Sequence, residues 1–502
     1  MPIESDWLLR RAEADPEALA LVDAARGGQR LSYGAWNARV NRTAHFLRDS
    51  LGITHGERVA ALAHNCTELL DLLFACAKLG AIFQPLNWRL SAPELALLVS
   101  DAAPRALVYG PELRPTAQAL RRMVPGVLPH YVALDLLEDL PFAAREAHPD
   151  AELPALALDC GDPWVLCGTG GSTGSPKQAV LTHGSMQANA QNTVASWGLD
   201  ASDVALLNAP LFHTGGLNVF TTPLVYAGGA SVVCRGFDVE QVFDQVQRGA
   251  VSLLFGVPTM FLEMQRHPRF EQVDFARLKL VISGGAPCPP PVFERFFARG
   301  VDFRTGYGLT EAGPNNFWLP PEQVRRKPGA VGVPVSGVEA RLDGEGAQGE
   351  LLLRGAHVCA GYWNCPEETA RAFDDGWLRT GDLAERDADG HFRIVGRLKE
   401  VILSGGENVY PSEVESVLSG HAAVAEVAVI GAPDSTWGEV PHALVVARPG
   451  CAPLTLELLH RVCEGRLARY KWPRSLQLLP ALPRTAAGKV DRRALMAARS
   501  AS

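Results

Sequence analysis

The segment Thr169-Gly-Gly-Ser-Thr-Gly-Ser-Pro-Lys177 constrains this chain more than any other part of its sequence. It follows the apolar run Trp164–Cys167, which predicts a short buried strand. Glycines let backbone N–H groups turn toward an anion, while hydroxyls and one ammonium add donors and positive charge. A strand followed by such a loop is typical of a site for the phosphates of ATP. A Gly/Ser surface linker is the alternative, but Lys177 and the apolar residues 179–181 argue against it.

The segment is not a P-loop of the Walker A kind. Lys177 follows Pro176 and precedes Gln178, so the Gly-Lys-Ser/Thr ending is missing. An ordinary P-loop ATPase, which would cleave ATP to ADP, is therefore disfavoured.

Length and composition exclude several other classes of protein. A chain of 502 residues is too long for one core, so two or more domains are expected. The net charge of −8 gives no general attraction to nucleic acid. The ten cysteines include no Cys-x-x-Cys pair, which favours free thiols in a reducing cytosol. No apolar run is long enough to span a membrane and no signal peptide is visible, so we expect a cytoplasmic protein.

Buried strands alternate with helices through the first half of the chain, which predicts parallel sheets of the α/β kind. The apolar periodicity predicts helices over Tyr33–Leu47 and Glu68–Leu79, the second ending at Gly80. Strands are expected at Ala18–Val22, Arg58–Ala63, Ala106–Tyr109, Trp164–Cys167, Val204–Leu207, Ser231–Val233, Ser252–Phe255 and Lys279–Ser283.

The last third of the chain has a different pattern. Short strands with Gly and Pro turns from Gly329 to Leu353 predict a small barrel-like β subdomain. A charged, glycine-rich junction after Gly396 precedes about a hundred residues with their own α+β pattern, of the size expected for a small domain. That pattern consists of a helix from Ser412 and strands at Val424–Ile430 and His442–Ala447. We therefore place the domain boundary at Lys399, with domains 1–398 and 399–502.

A second candidate segment, Tyr307-Gly-Leu-Thr-Glu311, follows a predicted strand. The ring of Tyr307 can stack on a purine, Thr310 can hydrogen-bond a phosphate, and Glu311 can hold Mg²⁺ through oxygen. Alone, the segment is equally typical of a plain loop. Together with the first glycine-rich loop, it indicates a nucleotide.

Three further residues have both a functional and a plain interpretation. Asp382 could accept from two ribose hydroxyls, although Gly-Asp also caps ordinary turns. His213 precedes Gly215 and Gly216, which leave room for a substrate, although a lone histidine is more often structural. Lys489 ends the segment Pro483-Arg-Thr-Ala-Ala-Gly-Lys489, and a solvated lysine near the C-terminus is the plain alternative.

In order and spacing, these segments resemble the adenylate-forming superfamily of acyl-CoA synthetases, luciferases and peptide-synthetase adenylation domains. The resemblance runs along nearly the whole chain. It is carried by Thr169–Lys177, Phe212–Gly216, Ser283–Pro287, Tyr307–Glu311, Gly361–Asn364, Thr380–Asp382, Gly396–Lys399, Glu407–Val414 and Pro483–Lys489. The phosphate loop departs from the common Ser-Gly-Thr-Thr-Gly, but Ser172 keeps a hydroxyl there, and Gln178 replaces a frequent glycine.

The resemblance implies an α/β fold with a large N-terminal domain of two α/β subdomains plus a β-barrel, and a small mobile α+β C-terminal domain. It also implies a role for each matched residue. The β- and γ-phosphates would be held by Thr169, Gly170, Gly171, Ser172, Thr173, Gly174 and Lys177. The adenine would lie against Gly285, Ala286, Pro287, Tyr307 and Gly308.

Further roles follow from the same resemblance. Asp382 and Arg397 would hold the ribose, and Glu311, next to Thr310, would sit near Mg²⁺. Lys489 would reach the acyl carboxylate and the α-phosphate during adenylation. The remaining two roles are a border of the acyl pocket for His213 and the domain hinge for Lys399.

The implied activity is an acyl-CoA synthetase that uses ATP, Mg²⁺ and coenzyme A, forms an acyl-adenylate, and releases AMP and pyrophosphate. Phe212–Thr214 carries no carboxylate to pair with an α-amino group, which disfavours an amino acid. We expect an apolar monocarboxylate, first a fatty acid, with Asn315 and Asn316 as polar points of its pocket. An aryl-CoA ligase of the 4-coumarate or succinylbenzoate kind and a non-catalytic nucleotide-binding sensor are the alternatives. The expected partners are a small acid and CoA but no nucleic acid, and a homodimer is compatible with the sequence.

Overall fold

The computed structural model describes residues 6–135, 139–169, 176–344, 346–405, 407–451, 453–485 and 488–500. These residues form a large N-terminal α/β domain and a separate C-terminal domain, as predicted. The predicted phosphate-loop residues Gly170, Gly171, Ser172, Thr173 and Gly174 lie outside the described residues. None of the described helices is both long and apolar enough to cross a membrane.

Two seven-stranded sheets form the centre of the N-terminal domain. In spatial order the first consists of Phe303–Thr305, Leu280–Ser283, Leu253–Gly256, Val204–Leu207, Ala230–Val233, Leu19–Asp23 and Gln29–Ser32. The second consists of Leu140–Pro141, His130–Ala133, Ala106–Tyr109, Arg58–Leu62, Ile82–Pro85, Pro163–Thr169 and Lys177–Thr182. In each sheet only the last pair is antiparallel. The prediction of parallel sheets is confirmed, because such strands are buried on both faces and read as apolar runs.

Helices cover these sheets and end where their sequences carry stop signals. Ser32 accepts a hydrogen bond from the N–H of Ala35 at the start of Tyr33–Leu51. Gly80 ends Thr67–Leu79 at φ +61°, and a Cβ there would lie 2.4 Å from the ring of His55. The other helices of this domain are Trp7–Ala14, Ala92–Ala102, Arg114–Met123, His183–Trp197, Thr214–Asn218, Thr221–Ala227, Val239–Gln247, Pro258–Arg266, Pro290–Ala298, Pro321–Val324 and Pro366–Ala372.

The predicted β subdomain is an antiparallel sheet. Its strands are Glu339–Asp343, Gln348–Arg354, Phe373–Asp374, Trp377–Arg386 and Phe392–Arg397. A bridge between Gly332 and Phe392 connects it to the pair Phe317–Trp318 and Val333–Pro334. The register places Asp382 opposite Arg397, so the sheet brings two predicted ribose ligands together.

The C-terminal domain has its own mixed sheet and core. Its strands are Glu407–Val409, Ile402–Ser404, Gly438–Ala447, Val424–Asp434 and Ser475–Leu478, and its helices are Pro411–Ser419, Leu456–Cys463 and Arg492–Ser500. Apolar residues of the first two helices and of the sheet share one buried cluster. Ser412 donates a hydrogen bond to the carbonyl of Val395, which ties this domain to the β subdomain.

Candidate active site

The predicted site residues of the first sheet lie at the carboxyl ends of neighbouring strands. Phe303–Thr305 leads into Tyr307, Leu280–Ser283 leads into Gly285, and Val204–Leu207 precedes the turn that carries His213. The carboxyl ends of parallel strands open on one edge of the sheet, where α/β proteins bind their ligands. Gly285, Ala286 and Pro287 are exposed on this edge.

Two glycines at this edge are required by close backbone approach. A Cβ on Gly308 would lie 2.3 Å from the Cα of Pro314. A Cβ on Gly216 would lie 2.3 Å from the carbonyl oxygen of Pro210. Only a residue without a side chain fits in either turn, so the two glycines shape the walls on which Tyr307 and His213 stand.

Tyr307, Asp382 and Arg397 form one polar cluster. The hydroxyl of Tyr307 donates to Oδ2 of Asp382 at 2.7 Å, and Nε of Arg397 lies 2.8 Å from Oδ1. Burial raises the pKa of Asp382, while the Arg397 guanidinium and the Tyr307 hydroxyl act in the opposite direction. Burial and the neighbouring carboxylate raise the pKa of Tyr307, so its hydroxyl stays protonated. Groups of the protein itself thus hold both carboxylate oxygens in place.

Glu311 and Lys177 are brought together by Tyr362. The hydroxyl of Tyr362 donates to Oε1 of Glu311 at 2.8 Å, and the Lys177 ammonium lies 5.4 Å from the centre of the same ring. Thr310 precedes Glu311 in the same short 3₁₀ turn. Thr169 pairs with Lys177 at the ends of the two antiparallel strands that flank the loop. Tyr362 therefore connects the predicted magnesium and phosphate ligands.

Glu368 also contacts the Lys177 ammonium. It lies on the helix Pro366–Ala372, which follows the segment containing Tyr362. The sequence analysis singled out residues 361–364 as a motif but gave neither Tyr362 nor Glu368 a function. A signal was present in the sequence, namely the polar segment that follows this motif. The spacing of that segment, however, does not specify which residues these two side chains contact.

Lys489 reaches this cluster from the C-terminal domain. Its loop is tightened by hydrogen bonds from the N–H of Thr485 to the carbonyl of Lys489 at 2.7 Å and from the N–H of Gly488 to the carbonyl of Thr485 at 2.8 Å. Although Lys489 is exposed at the surface, desolvation by the protein around it lowers the pKa of its ammonium. Arg397 contributes to this lowering, whereas Asp382, Glu311 and Glu400 oppose it. The lysine therefore lies within the electrostatic field of the nucleotide-site residues.

His213 is a partly buried side chain that feels the charge of Lys489. Burial, together with the charges of Lys489 and Arg89, lowers the pKa of His213 to about 4, so the imidazole is neutral. Its Nε2 is buried and has no hydrogen-bond partner within the described part of the chain. A neutral imidazole there can border an acyl group without placing a second cation beside Lys489.

The remaining predicted residues have mixed outcomes. Lys399 lies in the 3₁₀ turn Leu398–Glu400 between the β subdomain and the C-terminal sheet. Asn315 is buried, and its Nδ2 donates to the hydroxyl of Thr193 and to main-chain carbonyls. The interpretation of Asn316 as a polar point of the acyl pocket is wrong. Its Nδ2 donates to the carbonyl of Gly313 at 2.9 Å, and its Oδ1 lies 2.9 Å from Nε2 of His357.

Known proteins are similar to this chain over most of its length. Residues 8–363 match the family "AMP-binding enzyme", and residues 413–489 match "AMP-binding enzyme C-terminal domain". A feruloyl-CoA synthase from Amycolatopsis sp is 40% identical over 96% of each chain. An indoleacetate–CoA ligase from Aromatoleum aromaticum is 37% identical over 97% of this chain and 96% of its own. A long-chain-fatty-acid–CoA ligase from Mycobacterium tuberculosis is 35% identical over 96% of each chain.

Solved structures are similar along the full length. ATP-bound MatB from Rhodopseudomonas palustris has a TM-score of 0.90 at 32% identity, covering 99% of each chain. Apo MatB from the same organism has a TM-score of 0.81 at 31% identity, again covering 99% of each chain. The anthranilate CoA ligase AuaEII in complex with anthranoyl-AMP has a TM-score of 0.91 at 29% identity, covering 100% of this chain and 99% of that one.

Proposed function

This chain belongs to the AMP-binding enzyme family as an AMP-forming acid–thiol ligase, and from that premise we propose that it joins an aryl or arylalkyl monocarboxylic acid to coenzyme A. The observation that carries the proposal is Lys489, which is held in the field of Asp382, Glu311 and Arg397 and next to His213. A cation placed between a nucleotide site and an acyl site suits one reaction: attack of a carboxylate on a phosphate of ATP.

In the first half-reaction, a carboxylate oxygen attacks the α-phosphorus of ATP and forms a C(O)O–P bond, while the bond to pyrophosphate breaks. Lys489 would offset the negative charge that gathers between the two anions, and Lys177 would offset the charge of the leaving pyrophosphate. Asp382 would accept from the ribose hydroxyls, because each of its oxygens has lone pairs beyond those used by Tyr307 and Arg397. Adenylation then proceeds mainly through positioning and charge neutralisation.

Glu311 is the residue that would hold Mg²⁺. Its carboxylate offers the oxygen ligands that Mg²⁺ prefers, and the hydrogen bond from Tyr362 fixes its orientation. When bound, the metal neutralises charge on phosphate oxygens. The adenine would lie between Gly285–Pro287 and the ring of Tyr307.

In the second half-reaction, the CoA thiol attacks the acyl carbon, the bond to AMP breaks, and the thiol proton is lost. We propose that the present domain arrangement serves adenylation and that rotation about Lys399 prepares thioester formation. The higher TM-score to ATP-bound MatB than to apo MatB supports this. The neighbouring Glu400 pairs with Arg492 at 3.0 Å and so belongs with the C-terminal domain, which supports a boundary between residues 398 and 399.

The choice of an aryl acid over a fatty acid rests on Phe255. Its ring lies between two site glycines, such that a Cβ on Gly215 or on Gly284 would lie 3.1 Å from it. We propose that this ring lines the acyl pocket beyond His213, where it would favour a flat, compact acid over a long chain. The feruloyl and indoleacetate relatives support this choice. A fatty acid, our first expectation from the sequence, remains the second candidate because of the mycobacterial relative.

An acid panel tests the proposal. AMP and pyrophosphate formation would be measured with hydroxycinnamic, indole-3-acetic, benzoic and C6 to C16 fatty acids, each with and without CoA. We expect the highest kcat/KM with an arylacrylic or arylacetic acid, and Phe255→Ala should shift the preference toward longer fatty acids. A wild-type enzyme that prefers a C12 or C16 acid contradicts the aryl assignment, and turnover of ATP without any acid contradicts the ligase assignment.

A further inference from the structure

The ion pair between Lys177 and Glu368 occupies the lysine that our proposed function assigns to the phosphates of ATP. The Lys177 side chain is 13% exposed and that of Glu368 27%, so the pair is partly shielded from solvent. The ring of Tyr362 lies beside the same ammonium. Within the described residues, the ammonium thus has one carboxylate in direct contact.

Glu368 has a second cationic partner that does not depend on Lys177. Its Oε1 accepts a hydrogen bond from Nη1 of Arg371 at 2.9 Å, one helical turn further along Pro366–Ala372. Its other oxygen, Oε2, contacts Lys177. Glu368 can therefore release the lysine and still keep a neutralising partner.

We propose that Glu368 is a placeholder anion, which occupies the ammonium of Lys177 while the phosphate site is empty and yields it to the phosphates of ATP. The inference rests on the proposed function, because it takes Lys177 as a phosphate ligand. A carboxylate and a phosphate oxygen are alternative acceptors for the same N–H donors. Two anions cannot both lie against one partly buried ammonium without repelling each other.

The placeholder has two consequences for binding. It keeps the Lys177 side chain in one position in the empty enzyme, since an unpaired and largely buried ammonium is unfavourable. It also competes with ATP and with pyrophosphate, so both bind more weakly than they would to an unpaired Lys177. Competition for the lysine would assist pyrophosphate release after adenylation.

The test is the dissociation constant of inorganic pyrophosphate and of ATP with Mg²⁺, measured by calorimetry on the full chain without any acid. Glu368→Gln removes the competing charge and keeps the side-chain size. We expect it to lower both dissociation constants by about two- to fivefold, the range for a partly exposed ion pair. Unchanged or weaker binding overturns the placeholder role.

Glu367→Gln is the matched control. Glu367 is the preceding residue of the same helix, pairs with Arg371 at 3.1 Å, and forms no ion pair with Lys177 among the residues that the structure describes. The same change in net charge there should leave both dissociation constants unchanged. An equal gain in affinity in Glu367→Gln would mean a general charge effect and would contradict the inference.

The same substitution in a variant without the Lys177 ammonium tests whether the gain in affinity depends on that ammonium. In Lys177→Gln, the additional change Glu368→Gln should no longer tighten pyrophosphate binding, because no ammonium is left to compete for. A persisting gain overturns the inference. Failure of the proposed function has a different signature: tighter binding in Glu368→Gln, together with no acid-dependent pyrophosphate exchange in the wild type, refutes the ligase assignment and leaves the placeholder intact.

Discussion

The proposed nucleotide site draws on two regions that differ in how their charges are held. In the N-terminal domain, Asp382 has both oxygens hydrogen-bonded and Glu311 is oriented by Tyr362. In the C-terminal domain, Lys489 stands on a short loop beside a separate buried cluster, and it feels the charges of Asp382 and Glu311 from there. Groups of its own domain hold the first region in place, whereas the proposed rotation about Lys399 would withdraw the second. On that proposal, nucleotide recognition and the timing of the chemistry are carried by separate domains.

Substitution of Asp382 should have the largest effect and should strike both half-reactions. Asp382→Ala removes the acceptor for the ribose and leaves the Tyr307 hydroxyl and the Arg397 guanidinium without their partner. We expect each half-reaction to slow by about 10²- to 10³-fold, the scale for loss of one organised polar group. Pyrophosphate exchange and thioester formation from synthetic acyl-AMP measure the two steps. Loss of only one step would contradict the view that both half-reactions use the same preorganised polar cluster.

Lys399→Pro should slow thioester formation alone, whereas Asp382→Ala should slow both half-reactions. Proline fixes φ, so a hinge that must change its backbone angles is frozen. We expect acyl-AMP to accumulate while thioester formation falls by about 10²-fold, as for a misplaced reacting group. Lys399→Ala, which removes the side chain without fixing φ, is the control and should retain thioester formation. Equal losses in both half-reactions of the proline variant would indicate misfolding and defeat the hinge assignment.

Tyr362→Phe tests whether the N-terminal region is organised through this side chain. The variant loses the hydrogen bond to Glu311 and keeps the ring beside Lys177. We expect the Mg²⁺ concentration for half-maximal adenylation to rise about tenfold, from loss of one hydrogen bond to a charged group. Tyr362→Leu should additionally raise the KM for ATP, since it removes the ring as well. Tyr109→Phe, which loses a tyrosine–carboxylate hydrogen bond to Asp139, serves as the control. An unchanged Mg²⁺ requirement would contradict the positioning role.

A change of pH should have the smallest effect on adenylation. This effect should arise from Lys489 in the C-terminal domain. Burial and Arg397 lower the pKa of Lys489, so the ammonium is lost at a lower pH than in a free lysine. The adenylation rate should therefore fall as the pH rises through this lowered pKa. Lys489→Arg stays protonated throughout this range and should lose that alkaline limb. The same limb in the arginine variant would assign it to another group.

The sequence predicts the strands that carry the candidate site better than it predicts which strands and side chains pair with each other. The eight strands predicted for the two N-terminal sheets lie within two residues of the observed ends, because apolar runs on parallel strands have few other interpretations, whereas both strands predicted for the C-terminal domain are four residues longer in the structure. The sequence also predicted that Tyr307 follows a strand, and the structure places it at the same sheet edge as Gly285 and His213. The register that sets Asp382 against Arg397 was not predicted, since it depends on how two distant strands pair.

The errors and omissions have a common physical origin. Asn316 was assigned to the pocket because it is polar and adjoins a motif, but its amide pairs with His357 and a main-chain carbonyl. Tyr362 and Glu368 were not given functions, because their partners Glu311 and Lys177 are distant in sequence. Side-chain direction and long-range pairing decide all three cases, and neither is encoded in local spacing.

We propose that Lys489 acts in adenylation alone, and one measurement tests this role directly. Lys489→Ala would be assayed for pyrophosphate exchange with ATP and acid, and for thioester formation from synthetic acyl-AMP and CoA. Lys471→Ala, another lysine of the C-terminal domain whose ammonium pairs with Glu413, would be the control. We predict that exchange falls by about 10²- to 10³-fold while thioester formation stays near the wild-type rate. Equal losses in the two half-reactions, or normal exchange in the variant, would contradict the account.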